Sequence, residues 1–467
     1  MLDSFLDSAL NPSLDSALDS FLDSALNPSL DSDLDSSHAP FAFALSGIVL
    51  IFRAMPDAAE QTEAPVTPAQ FPTPAFVRYM IGEGISMTGT WMQAMAGGWV
   101  MASLTTSATM LGLVNLMGGL PMIALAMTGG LFADKFDKRL ILQVCQVVQI
   151  ILSLTLGYLV GQHSIEMWHI FLAAVLLGIS NAFEMPAASA LVPELVAKEH
   201  VARAVAIDRA VFHGTRLIGP AAAGYLVAQF GESSAYYLNA LTFLALMVAL
   251  LTIPPRPVGS AEQEEKRKGG MGEGAKHILK DRPSLAMILL MATNTIFVFP
   301  VMIVLLPLYS RHVLALNSQD MGWLMFSSGI GSLTGSLLIL KVRRDQRPWV
   351  LATAVALICI ALTSLSYADS FLWAAGSLTS LALGVSTLVG LSNTVVQERA
   401  PAEIRGRVSA IAGLSFFGLL PFAGMIMAAL ADWIQIRPAL LAAAIAYAII
   451  GCFVLLWAGK AAGEEIV

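Results

Sequence analysis

Charge is what this chain has least of. Only 13% of its 467 residues are Asp, Glu, Lys or Arg, against about a quarter in an ordinary soluble domain. With 56% hydrophobic residues and a mean hydropathy of +0.72, that shortage excludes a soluble globule. Cysteine is scarce as well. Cys145, Cys359 and Cys452 each fall inside an apolar stretch with no ligand-like or redox-like spacing, so they read as small buried hydrophobes and not as a disulfide framework. There is no Walker loop, no HExxH, no GxSxG and no CxxC pair, which leaves ATP hydrolysis and metalloenzyme chemistry without support. The expectation is a non-enzyme with no cofactor and no metal. A net charge of −7 says little about partners, because much of it comes from an aspartate-rich N-terminus.

What is abundant is long apolar sequence. Stretches near 76–101, 108–133, 140–161, 166–192, 204–229, 234–253, 284–309, 320–340, 349–367, 371–396, 408–431 and 439–459 are each long enough to cross a bilayer, which takes about 20 mostly apolar residues. Helices are the open-ended solution in lipid, because every backbone N–H and C=O is satisfied within its own segment. Barrel strands would alternate polar and apolar residues, and these runs do not. The sequence therefore predicts an all-α integral membrane protein with twelve spanning helices.

Lys and Arg orient it. Of the 26, 20 lie in the gaps after even-numbered spans or in the short tail, whereas the opposite gaps hold only Arg311 and Arg437. The positive-inside rule then puts both ends of the bundle in the cytoplasm of an inner or plasma membrane.

The segments divide as follows. Residues 1–54 form a low-complexity extension in which 5–20 recur as 21–36 with one difference; such Asp- and Ser-rich sequence cannot bury a core and is expected to be disordered. Translation is expected to start at Met55, with a genuine cytoplasmic tail as the alternative. Residues 55–75 are a proline-rich lead-in, 76–254 a first six-helix bundle, 255–283 a charged linker, 284–460 a second six-helix bundle, and 461–467 a tail. The halves look duplicated. A shift of 204 superposes Val192, Glu194, Glu199, Arg203, Ala206, Ile207 and Gly214 on Val396, Glu398, Glu403, Arg407, Ala410, Ile411 and Gly418. A shift of 205 brings Gly130, Lys138 and Arg139 onto Gly335, Arg343 and Arg344. Six plus six spans with such a repeat is the plan of two bundles about an axis along the membrane normal.

After the second span the chain reads Gly130-Leu-Phe-Ala-Asp134-Lys135-Phe-Asp137-Lys138-Arg139. This resembles the major facilitator signature G-x-x-x-D-[RK]-x-G-[RK]-[RK], with Asp137 in place of the second glycine. Physically it reads as a latch. Gly130 would let the helix approach a neighbour closely, and Asp134 would accept hydrogen bonds from a neighbouring helix N-terminus or an arginine. A basic loop that only sets topology is the plainer alternative. The equivalent of Asp134 in the second half is Ile339. In the fifth span, Gly214-Thr-Arg-Leu-Ile-Gly219-Pro220-Ala-Ala-Ala-Gly224 resembles the family's antiporter signature G-x-x-x-G-P-x-x-G-G. Plain small-residue packing explains the same residues equally well. Gly89-Thr-Trp-Met-Gln93, Pro193-Glu-Leu-Val196 and Arg405-Gly-Arg407 narrow the resemblance to the enterobactin-exporter and transmembrane-secretion-effector branch. The resemblance implies a major facilitator fold, twelve helices in two pseudo-symmetric bundles, and an exporter of drugs or siderophores working by alternating access; uptake or facilitation of a lipid-like substrate, and a non-transporting receptor or scaffold of the same fold, are the alternatives. Its partners would be a small amphipathic molecule, protons and the bilayer, with no nucleic acid and no required oligomer.

Ionisable residues inside spans are the site candidates, since a charge at mid-bilayer costs about 2.5–3.5 kcal/mol on insertion scales. Glu83, Ser86, Thr90, Gln93 and Gly97 recur at helical spacing in the first span and are expected to line a central cavity. Glu83 is a candidate proton carrier, because low dielectric disfavours its charged form. In the fifth span Arg209, His213 and Arg216 stack one above another beside Asp208. Arg216 could hold a substrate anion or act on a protonating carboxylate. Arg209 and Asp208 could simply pair or snorkel to the surface, and His213 could be a packed neutral ring. Glu184, before Pro186, is a weaker candidate. Asn294 in the seventh span is the expected counterpart of the first span's cavity face. Lys135, Lys138, Arg139, Arg405 and Arg407 complete the expected latch.

Overall fold

The computed structural model describes residues 71–254, 271–401 and 404–462. The repeated N-terminal extension and most of the lead-in lie outside them. Among the described residues the only regular structure is helical. The first half comprises α1 Pro74–Leu104, α2 Ala108–Lys135, α3 Lys138–Gly161, α4 Met167–Glu194, α5 Val201–Phe230 and α6 Ser233–Leu251. A short helix α7, Met271–Lys280, follows within the expected linker. The second half comprises α8 Arg282–Val313, α9 Ser318–Ile339, α10 Arg347–Tyr367, α11 Phe371–Arg399, α12 Arg405–Ile434 and α13 Ile436–Ala462.

Short polar turns start these helices. The Thr73 hydroxyl accepts from the Phe76 N–H at 3.2 Å, with Pro74 in the first turn of α1. Asp137 caps α3, Asp281 caps α8, and Asn317 with Asp320 forms a capping box for α9. Each satisfies backbone donors that a helix end leaves open.

Ten of the twelve long helices are apolar enough to cross a membrane by length and composition. The two that fall short of that measure are α1 and α5. They are 31 and 30 residues long, and what dilutes them is glycine plus the very polar residues singled out as site candidates. Two of the long helices depart from unbroken α geometry: α12 is interrupted by a turn at Gly418 and Leu419, between Arg405–Phe417 and Leu420–Ile434, and α8 changes its winding. α8 is α-helical over Arg282–Phe297 and then π-wound over Val301–Leu305 and Tyr309–Val313, around Pro300 and Pro307, which lack a backbone donor.

Within each half, glycines set the closest crossings. A Cβ at Gly178 of α4 would collide with the Gly118 carbonyl of α2, and one at Gly331 of α9 would collide with the Thr379 carbonyl of α11. Backbone contact of this kind is how small residues hold helices together where lipid removes the usual hydrophobic drive. The repeat reaches side chains as well. Lys138 meets Glu194 at 2.7 Å, and Arg344 and Arg347 meet Glu398 at 3.4 and 2.8 Å. In both halves, basic residues beyond the second helix face the glutamate near the end of the fourth.

The halves touch through α2 with α12 and α5 with α9. We call the end of the bundle carrying α7 the linker face and the other the far face. Gly112 and Gly119 of α2 meet Ala428 and Pro421 of α12, and Gly224 of α5 meets Ser318 and Gly322 of α9. These positions belong to the far-face halves of their helices. Near the same face, the Asp432 carboxylate accepts from Ser107 Oγ at 2.6 Å and from the Ala108 and Thr109 N–H groups at 2.7 and 2.9 Å, so α12 caps α2. By contrast, residues 405–417 at the linker end of α12 pack on α7, α8 and α11 of their own half. The two halves are thus clamped at the far face and part toward the linker face.

Candidate functional site

Because the halves part there, the sides of α1 and α5 that face the opening decide what the protein can do. On α1, Gly82 and Gly89 pack on α6, whereas Gly84 packs on α5. Glu83, Met87, Thr90 and Ala94 fall on the remaining side, with Thr90 and Ala94 exposed and Glu83 half-buried. Two of the expected cavity residues lie elsewhere. Ser86 is 3% exposed. Gln93 turns into the first half, where its Oε1 accepts from Ser153 Oγ at 2.6 Å and Asn239 Nδ2 at 2.9 Å. The reason is angular: residues three or four apart drift round the helix, so Ser86 and Gln93 point toward α3 and α6 while Glu83 and Thr90 do not. Asn294 also departs from expectation. It is fully buried in the second half, with Nδ2 donating to the Leu290 carbonyl at 3.3 Å.

The acidic residues come together. Glu83 lies within electrostatic range of Glu184 on α4 and Asp208 on α5, and the Tyr79 phenol one turn below faces its carboxyl. Glu184 is better supported than its sequence suggests. Gln146 donates to its Oε1 at 2.8 Å and Gln149 donates to its Oε2. Both amides are almost fully buried in α3, and the Gln146 carbonyl oxygen has no partner. Tyr79, Gln146 and Gln149 were not foreseen. The amides carried a signal, since Gln143, Gln146 and Gln149 recur three residues apart in a mostly apolar span. Glu83 and Glu184 each sit about 10 to 15 Å from the linker end of their helices by rise per residue, at one level of the opening.

On α5 the basic residues form the expected stripe. Arg209 is exposed and stands 4.0 Å from Asp208. His213 is exposed and not a packed core ring. Arg216 is half-buried, its guanidinium 5.2 Å from the centroid of the Trp91 ring. The glycine motif packs on both sides of the helix. Gly214 is buried, a Cβ at Gly219 would meet Trp91 of α1, and one at Gly224 would meet α9, close to where the Pro220 carbonyl abuts Gly322.

The latch residues surround the linker face, and Lys138, Arg139 and Arg407 have ion-pair partners on their own side of the bundle. Arg139 binds Asp137 at 2.6 Å and donates to the Ile253 carbonyl. Arg407 pairs with Glu273 of α7, and Arg405 lines a polar cavity of about 390 Å³ with Asn393, Thr394, Gln397 and Glu398. Lys135 ends α2 beside Asp134. One expectation is corrected: Gly130 has open space around it. It is Gly129 whose added Cβ would strike the Ala182 carbonyl of α4, so the close approach falls one residue earlier, about 100° round the helix.

Residues 65–464 match the model of the transmembrane secretion effector family. The chain belongs to that family. It is a multi-pass membrane transporter of the major facilitator type, and its relatives are named accordingly. The staphyloferrin A transporter of Staphylococcus aureus is 24% identical over 370 residues, covering 74% of this chain and 86% of that protein. Macrolide efflux protein A of Streptococcus pyogenes is 22% identical over 360 residues, covering 76% and 88%. An uncharacterized MFS-type transporter of Bacillus subtilis, YfiS, is 26% identical over 262 residues, 54% of this chain and 61% of its own length. Among solved structures, a bacterial homologue of the human lysosomal transporter Spinster superposes with a TM-score of 0.67 at 14% identity, covering 83% of this chain and 98% of that one. That likeness establishes the shared fold.

Proposed function

We propose that this family member is a proton-coupled exporter of small amphipathic molecules, a siderophore or drug, that works by alternating access. The family match and the names of the relatives support export of such molecules. The observation that carries proton coupling is the convergence of Glu83, Glu184, Asp208 and Tyr79 from three helices at one level of the opening. Three carboxylates in a region of low dielectric repel one another and cannot all stay ionised at little cost. A cluster of this kind takes up and gives back a proton as the opening faces one side of the membrane and then the other.

The excess of Lys and Arg on the linker side supports a cytoplasmic linker face in the plasma membrane. In that orientation the described conformation is open to the cytoplasm. Cargo and proton exchange at different levels of the opening, the far-face clamp releases, and the linker-face residues close. Asp134, Lys138, Arg139, Arg405 and Arg407 would then exchange partners between the halves, which is the role the latch signature suggests.

The test is transport in everted vesicles loaded with a hydrophobic dye or antibiotic, with an imposed pH gradient. Wild-type accumulation should depend on the gradient and collapse with a protonophore. Glu83→Gln should retain counterflow exchange while losing gradient-driven accumulation by at least about tenfold, a loss worth about 1.4 kcal/mol. Undiminished gradient-driven accumulation in that variant removes Glu83 from the coupling step.

A further inference from the structure

The basic level of α5 is separate from the acidic cluster. Trp91 and Glu83 are eight residues apart on α1, about 12 Å by helical rise. Arg216 stands at the Trp91 level, in the middle of α5, with no ion pair among the described residues. Trp91 faces it. The indole Nε1–H is buried and has no hydrogen-bond partner among the described residues. Phe212 meets the same ring edge-on at 5.9 Å, and Gly219 brings the two helix backbones close enough to fix the ring against α5. A half-buried cation with no acid among the described residues and a buried unpaired donor, side by side, are costly to leave unsatisfied.

Stacking on an aromatic face occupies the plane of a guanidinium and leaves its N–H edge free. That edge matches a carboxylate bidentately. The indole N–H adds a third donor from the neighbouring helix. Arg209 and His213, both exposed, extend the same stripe from Arg216 toward the linker face, with Arg209 4.0 Å from Asp208 of the acidic cluster. The geometry points to Arg216 and Trp91 as a substrate subsite for a carboxylate carried on an aromatic or apolar body, with Trp91 and Phe212 contacting the body. The inference rests on the reading of the opening as the transport pathway. It does not depend on what drives transport.

The probe set is 2-naphthoate and its neutral counterpart 2-naphthalenemethanol, titrated by calorimetry into the full-length protein in nanodiscs. Wild type should bind naphthoate at least about tenfold tighter than the alcohol, the scale of one good charge-assisted contact. Arg216→Gln should bring naphthoate down to the level of the alcohol while leaving alcohol binding unchanged, which also reports an intact site. Arg216→Lys keeps the charge without the fork and should retain part of the preference. Trp91→Phe keeps the ring, loses the N–H, and should weaken naphthoate about threefold with no effect on the alcohol. Naphthoate binding no tighter than the alcohol, including no binding of either, overturns the assignment, as does a preference that survives Arg216→Gln. Because this assay uses no gradient, a failure of proton-driven export leaves it standing, and loss of the naphthoate preference leaves proton coupling standing.

Discussion

The two halves share a fold and differ in how they satisfy their buried polar groups. In the second half these groups are mostly hydroxyls that bond to backbone carbonyls, some in their own helix, as Thr293 to Leu289 and Thr295 to Met291, and others in a neighbour, as Tyr309 to Leu365, Ser366 to Arg437 and Thr387 to Gly335. In the first half they are amides and carboxylates that bond across helices. Gln93 reaches α3 and α6, and Gln146 and Gln149 reach Glu184 on α4. The apolar core follows the same division. A single large cluster runs through α8, α10, α11 and α13, and the α8 span is 61% buried where the α2 span is 11%. A hydroxyl bonded to its own turn costs little and links nothing. A cross-helix amide couples two helices and makes a carboxylate tolerable inside the membrane. One half therefore holds the chemistry, and the other is a packed body for it to move against.

Paired substitutions test that division, and the largest effect should come from the amides. Gln149→Leu removes a charge-assisted donor from Glu184, so gradient-driven transport should fall about tenfold or more. Asn294→Leu, at a buried amide whose Oδ1 has no partner, should leave transport within about twofold and the melting temperature equal or higher, since replacing an unsatisfied polar group by an apolar one of similar shape is neutral or better. Transport assays and thermal unfolding of both variants decide it, and equal losses of transport would erase the contrast.

The clamp between the halves ranks next. Asp432→Ala leaves the α2 N-terminus without its cross-half cap, a loss of about 1–2 kcal/mol. It should shift the population several-fold toward a state open at the far face. Alkylation of a cysteine introduced at Thr109 would report it as faster labelling than in a background with Asp432 intact.

The smallest effect lies at the exposed linker-face pairs. Burial alone would raise the Asp281 carboxyl, but hydrogen bonds from Arg399 and Ser284 hold it below the ordinary aspartate value. Its native form therefore contributes stability above a pH of about 3.9, which is lost as the pH falls through the depressed native value. For a half-exposed pair the contribution is within about 1 kcal/mol. Asp281→Asn should flatten the acid limb of the unfolding curve slightly and leave neutral-pH transport unchanged.

The fold was legible in the sequence because lipid imposes one simple rule on composition. Apolar length gave the helices, Lys and Arg spacing gave the pairing of loops, and the repeat foreshadowed the Glu194 and Glu398 pairs. The same rule hid two things. α1 and α5 look least like spans on composition, since the residues facing the opening dilute their apolar character. Direction round a helix was also out of reach. Ser86, Gln93 and Asn294 have the right spacing and depth for an opening, yet they point into cores, because which side of a helix faces the other half depends on where Gly82, Gly89 and Gly219 let neighbours in. Gly129 taking the part expected of Gly130 is the same lesson at a distance of one residue. The acidic cluster was half visible: Glu83, Asp208 and Glu184 each stood out as ionisable residues inside spans, whereas their meeting is a matter of three helices converging.

The π-wound stretches of α8 bear on how such a machine yields. A wide turn has one residue more than its axial length requires, so its backbone carries slack that an α-helix lacks. Here that slack sits beside Pro307, which abuts Gly98 of α1, while Arg282–Phe297 below it is regular and tightly embedded. Deformation should concentrate in the outer segment, letting that end of the rod bend as the clamp opens without loosening the packed body beneath. Amide exchange faster over 301–313 than over 282–297 would register it, and uniform exchange along the rod would mean that the half swings as a rigid block.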